Sequence, residues 1–226
     1  MILSVHQPQY IPWLGYFDKI ARSDAFVFLD CVQYKAREYQ NRNRIRRKGG
    51  SMWLTVPVVS NGRQPIREVL IDNAGSWQRQ HLGSLSTWYG GAPFFKEHYP
   101  FFEDALSRKW DRLSELNVHI IRYLLESLSI ATPLFFESQL TGVTGMSTRR
   151  IVEICKAMKA DTYLSGTGGK GYLEEGMFDE AGIGLRYQEF IHPEYEQRFK
   201  PFEPFMSAVD LLFNHGPRSR QILIKD

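Results

Sequence analysis

The first thirty residues constrain the fold most. ILSV (2–5) is a short apolar run, WLGYFDKIARS (13–23) spaces Leu14, Phe17, Ile20 and Ala21 as one helix face, and AFVFLD (25–30) is apolar again. A strand, a helical crossover and a second strand joined this closely run the strands parallel, with a right-handed connection. The last third resumes the rhythm. TPLFFESQL (132–140) and DTYLSG (161–166) read as strands flanking the helix TRRIVEICKAMKA, with Ser147 or Thr148 as its N-cap. MFDEAGI then reads as a short helix and GLRYQEF (184–190) as a strand. Five parallel strands are therefore predicted, at 2–5, 25–30, 133–138, 162–165 and 185–190. They imply a Rossmann-like three-layer α/β domain.

The middle of the chain departs from this pattern. SMWLTVPVV (51–59) and REVLID (67–72), separated by the turn-rich NGRQP, predict an inserted β-hairpin over 51–72. Residues 76–130 read as helical. Trp77, Leu82, Leu85 and Trp88 lie in register before a Gly90-Gly91 stop. Leu106, Trp110, Leu113, Leu116, Ile120, Ile121, Leu124 and Leu128 then form the strongest apolar stripe in the chain, as one helix or two meeting near Leu116-Asn117. His119 beside that stripe reads as structural. MSAVDLLFNHG predicts a last helix with Gly216 just beyond its end. At 226 residues a single domain, 1–226, is expected to bury a core without staples.

Cys31 and Cys155 lie far apart and outside any C-x-x-C spacing, which excludes a disulfide framework or a zinc knuckle as the expected stabiliser. No export signal opens the sequence, and no apolar run approaches the roughly 18 residues of a membrane span. A cytoplasmic protein without a membrane span is the expectation.

The chemistry-bearing residues gather at strand ends. His6 follows the first strand and Asp30 the second, at the edge where open α/β sheets place their ligand crevice. YLSGTGGKGYLEE (163–175) leaves the fourth strand at the same edge. Its Ser165, Gly166, Thr167, Gly168 and Gly169 suit close approach to a phosphate, although the spacing matches neither a P-loop nor G-x-G-x-x-G. KAREYQNRNRIRRKGG (35–50) is dense in Lys and Arg against a single Glu. It interleaves Arg42 and Arg44 with Asn41, a mixture suited to an anionic or polar ligand. In HQPQYIPWLGY (6–16), Pro8 and Pro12 are expected to keep residues 7 and 11 extended, making a stiff wall that presents Gln7, Tyr10 and Trp13. Gln33, Asp210 and His215 complete the candidate set.

Six stretches together resemble the WbqC-like family: H-Q-P-x-Y-x-P-W-x-G-Y-F-x-K-I (6–20), F-L-D-x-V-Q-Y (28–34), Q-N-R-N-R-I (40–45), W-L-T-V-P-V (53–58), Y-L-S-G-x-G-G (163–169) and D-L-L-F-N-H-G (210–216). The resemblance runs from end to end. It implies work on a sugar or activated sugar, since the family is met in bacterial surface-polysaccharide and O-antigen gene clusters, but it carries no settled reaction. Cys31 stands where the family pattern after the second strand has an acidic residue. The opening is also more distantly similar to the nucleotidyltransferase variant of the Rossmann fold, with Tyr16 after Gly15 in place of a second histidine.

The expected activity is a transferase acting on an activated, nucleotide-linked sugar or amino-sugar, by acyl, aminoacyl or nucleotidyl transfer. His6 is then the general base or a phosphate donor of hydrogen bonds, with Asp30 orienting a base or hydroxyl. Arg42, Arg44 and residues 165–169 hold the anion, and Tyr10 and Trp13 stack on the sugar or base. The alternative is a non-catalytic protein that binds a glycan precursor or nucleotide-sugar. RNA binding through the basic stretch is disfavoured by a net charge of only +3. The pattern names no cofactor; magnesium carried by a phosphate-bearing substrate is compatible with it. No H-x-x-x-H or C-x-x-C spacing supports a protein-only metal site, and His6, Asp30 and Asp210 are the residues available to an ion.

Overall fold

The structure is a computed structural model that describes residues 1–224. In chain order its strands are β1 (Ile2–His6), β2 (Ala25–Phe28), β3 (Arg42–Arg47), β4 (Gly50–Thr55), β5 (Val58–Val59), β6 (Leu70–Ile71), β7 (Leu134–Phe136), β8 (Thr162–Ser165) and β9 (Gly184–Tyr187). The helices are α1 (Leu14–Ala21), α2 (Trp77–Tyr89), α3 (Phe95–Ser107), α4 (Leu113–Ser127), α5 (Ser147–Ala157), α6 (Glu175–Glu180), α7 (Ala208–His215) and α8 (Ser219–Leu223). The chain falls into two compact units. One comprises Met1–Gln7, Gly15–Cys31 and Ala131–Ile191; the other comprises Pro8–Leu14, Val32–Ile130 and the chain from His192 onward.

The first unit is the α/β body. Its sheet has the order β7-β2-β1-β8-β9, and every neighbouring pair is parallel. All five predicted strands are present. The central ones are apolar without alternation, as strands covered on both faces must be: β2 is buried along its whole length, and Leu3 and Ser4 of β1 are fully buried. The strand after residue 132 is shorter than expected, because Glu137–Gln139 turns into a 3-10 helix. Neither Ser147 nor Thr148 caps α5: Ser147 is its first residue, and no side chain caps its N-terminus. Glu153 reaches back instead to accept from the N–H of Thr144 (2.8 Å) and Gly145 (2.7 Å), while Thr148 Oγ1 accepts from Glu174 N (3.1 Å).

The second unit packs α2, α3, α4 and α7 with two small antiparallel sheets. Phe213 of α7 sits at the centre of its core, with ring centroids 5.1 Å from Tyr89, 5.3 Å from Phe95 and 5.7 Å from Phe102. The expected 51–72 hairpin is only partly formed. Val58–Val59 pairs with Leu70–Ile71, but residues 50–55 pair backwards with Arg42–Arg47. Gly49 (φ +78°) and Gly50 (φ +145°) allow that reversal immediately after Arg47, so Arg42–Arg47 of the basic stretch form a strand. The helical stripe breaks at 108–112 rather than at Leu116-Asn117. There the Trp110 indole donates to Ala105 O (2.7 Å), and Asp111 O accepts from Ile71 N (2.9 Å). Pairing with β6 outweighs the continuous helical pattern.

Ser207 caps α7 by accepting from Val209 N, and Gly216 (φ +50°) follows the helix as expected. In the proline-rich opening, Ile11 is not extended but has φ +37°. Tertiary hydrogen bonds hold the chain on both sides of it: Tyr10 N donates to Tyr39 O (3.1 Å), and Pro12 O accepts from Ala208 N (2.8 Å).

Candidate functional site

In the first unit, a cleft of about 150 Å³ lies at the carboxyl ends of β1 and β8. His6 and Gln7 come from the end of β1, Lys19 from α1, and Ser165, Gly166, Gly168 and Gly169 from the turn after β8, with Tyr172 beyond them. The crossover from β1 into α1 builds one wall. Tyr16 and Lys19 are one turn apart on α1 and face the strand end together. Tyr16 OH donates to Gln7 O (3.2 Å) and Lys19 Nζ donates to Val5 O (3.0 Å).

His6 packs edge-on against Tyr16, with centroids 5.1 Å apart, and its Nδ1 lies 3.2 Å from Gln7 O. A carbonyl only accepts, so Nδ1 carries the proton and Nε2 is the ring's acceptor. Burial, followed by the Lys19 charge, pushes the imidazole down to about 3, so the ring is neutral at physiological pH. Lys19 is 3% exposed, and burial pulls its ammonium down to about 7. The lysine escaped the sequence reading because it lies inside an apolar helical segment.

The glycine turn is ordered. Residues 167–171 form a 3-10 helix in which Gly169 N donates to Gly166 O (2.9 Å). Its glycines have different reasons. A Cβ on Gly169 would lie 2.1 Å from Ser165 Oγ, so packing requires glycine there, whereas Gly168 and Gly171 border open space. Thr167 opens the turn.

Asp30 does not line this cleft. Its carboxylate accepts from Ser138 N (3.0 Å) and Ser138 Oγ (2.6 Å), which makes it an anchor for the turn after β7 rather than a partner of His6. Asp30, Cys31 and Glu137 bring their ligand atoms within 4.8 Å of one another. The Arg150 guanidinium, 2.6 Å from Glu137 Oε1, already supplies the positive charge at that cluster. Asp210, the third residue considered for an ion, belongs to the second unit.

The remaining candidates belong to the second unit. Tyr10 is 1% exposed with its hydroxyl 2.9 Å from His81 Nδ1, so its ring offers no face to a sugar. Trp13 lies against Phe205 (5.7 Å between centroids). Asp210 is fully buried and accepts from Tyr89 OH, Tyr195 OH and Gln197 Nε2, each at 2.9 Å, which makes it a polar node of the core and not a ligand. His215 Nε2 donates to Glu196 O (2.9 Å). Asn41 Nδ2 donates to Val56 O (2.9 Å) and Gln33 Nε2 to Gly62 O (2.6 Å), both structural ties. Arg42 and Arg44 are half-buried and lie over the ring of Trp53, 4.3 and 5.9 Å from its centroid. Arg46 of the same strand is 1% exposed and spends its donors on Gln197 and backbone carbonyls.

Among the described residues, no helix is long and apolar enough to cross a membrane. No solved structure matches the chain. Uncharacterized protein Rv1507c of Mycobacterium tuberculosis (strain ATCC 25618 / H37Rv) is 36% identical over 225 residues, which cover 98% of this chain and 96% of that protein. The model of the WbqC-like protein family matches residues 7–222, and the chain belongs to that family.

Proposed function

We propose that this protein is a transferase acting on an activated, phosphate-linked sugar or amino-sugar, with the cleft at the end of β1 as its active site. The observation that carries the reading is the pairing of His6 and Lys19: a neutral imidazole with Nε2 as acceptor, beside a buried amine, on one cleft wall. In this role His6 Nε2 takes the proton from the attacking hydroxyl or amine of the acceptor. Lys19 and the turn at residues 165–169 hold the negative charge on the donor and on the departing group. Burial is the larger cause of the lowered His6 pKa, and an anion seated beside Lys19 offsets the smaller one, the push of the ammonium. Acyl, aminoacyl and nucleotidyl transfer all use this pair in the same way.

The test is turnover with a panel of nucleotide-sugars and acyl donors, with and without magnesium. His6→Ala is expected to lower kcat by about a hundredfold or more while donor affinity stays within a few fold. Ligands that raise Tm without any conversion by the wild type would replace this reading with a glycan-precursor binding protein.

A further inference from the structure

Among the described residues two Lys or Arg side chains, Arg46 and Lys19, are almost fully buried, and they are treated differently. Arg46 is satisfied from within: its guanidinium bonds to the carbonyls of Arg47, Gly50, Phe199 and Pro201 and to Gln197, near the Asp210 carboxylate. Lys19 is equally withdrawn from solvent but shows one hydrogen bond, to Val5 O, and no carboxylate lies within ion-pairing distance of it among the described residues. An ammonium carries three donors, and a buried charge without a partner is costly. Asp18, the next residue along, is turned to Arg22 (2.8 Å) and Gln188 (2.6 Å). The titratable groups lining the cleft with Lys19 are His6, Tyr163 and Tyr172, and no carboxylate joins them.

The space beside the amine is also kept clear. Gly166 has φ −67° and ψ 160°, a backbone that any residue adopts, so conformation does not explain this glycine. Nor does crowding, since a Cβ there would meet nothing nearer than Lys19 Nζ, at 3.9 Å. What the glycine does is leave room in front of that nitrogen.

We propose that Lys19 is the seat of a ligand's oxyanion, a phosphate or carboxylate group that enters the cleft beside Gly166 and supplies the counter-charge missing from the protein. The inference rests on the cleft being the ligand site, as in the transferase reading, and names the group that binds there. A volume of about 150 Å³ admits such a head group, while the rest of the ligand lies outside, because whole ligand pockets run to roughly 300–1,000 Å³. Two Lys19 N–H groups remain to donate to the oxyanion. The anion holds the amine in its charged form, so binding at pH 8 draws a proton from solvent.

The experiment is calorimetric titration with inorganic phosphate, pyrophosphate and acetate at pH 8, in two buffers of different ionisation enthalpy. At least one of these oxyanions is expected to bind wild-type protein with net proton uptake, and the phosphate and acetate arms separate the two chemistries. Lys19→Met should weaken that binding by about tenfold or more and abolish the uptake. Gly166→Ala, which the backbone accepts, should weaken it several-fold with Tm unchanged, and keeps the test valid should the methionine variant fail to fold. The proposal is overturned if the wild type binds none of the three, or if either variant binds with wild-type affinity. Binding through Lys19 without any transfer would remove the transferase reading and leave this one standing.

Discussion

Gly216 leaves α7 at φ +50°, and a Cβ there would lie 2.3 Å from Cδ1 of Phe94. Gly216→Ala therefore combines a left-handed backbone with a ring clash. We expect it to destabilise the protein by about 2–4 kcal/mol in urea unfolding. Asp210→Ala should cost about 3 kcal/mol, since it strands three buried donors, with chemical denaturation as the check. Both residues sit in D-L-L-F-N-H-G, and both are conspicuous for reasons of packing rather than chemistry. Tyr10 is similar. Polar tips in sequence announce that a side chain has a partner, but not whether the partner is a ligand or another side chain. The meeting of His6 with Ser165 and Gly166 at one cleft was legible because both segments end parallel strands. Lys19 was not, because burial on an apolar helix is a tertiary fact.

α1 is the element that places Lys19, and its stability should carry that signature. The folded-state pKa of about 7 lies below the ordinary value of 10.5, so between these limits the unfolded chain binds the extra proton. Stability from this group then rises as pH rises from about 7 to about 10.5. Lys19→Met should flatten that rise and give a higher Tm than wild type at pH 7, measured by thermal melts across the range. His6 acts in the acid range: its pKa falls from 6.5 to about 3, so stability from it is lost as pH drops through that window. Element types were readable where local pattern and tertiary pairing agree, as in the five parallel strands. They failed where one strand had two possible partners. Residues 51–55 are apolar enough to pair on either side, and two glycines at positions 49 and 50 decided for the basic strand. The break at 108–112 likewise belongs to β6, which no helical period reveals.

For the whole molecule, the parallel sheet draws β1 and β2 from the first 31 residues and β7, β8 and β9 from residues 131–191. Cutting the chain after Ile130 separates them. Neither fragment alone should show the cooperative circular-dichroism melt of the intact protein, and mixing the two should restore it at least in part. The α/β class was legible at this scale from the alternation of strand and helix. The division into two units was not, because each is assembled from segments separated along the chain. One feature of this architecture also offers a chemical handle. An amine that sheds its proton near neutrality outcompetes ordinary lysines for electrophiles, and Lys19 opens only onto a cleft of about 150 Å³. A compact acylating reagent at pH 7 should therefore mark this lysine first, while a bulky one passes it by and labels the surface.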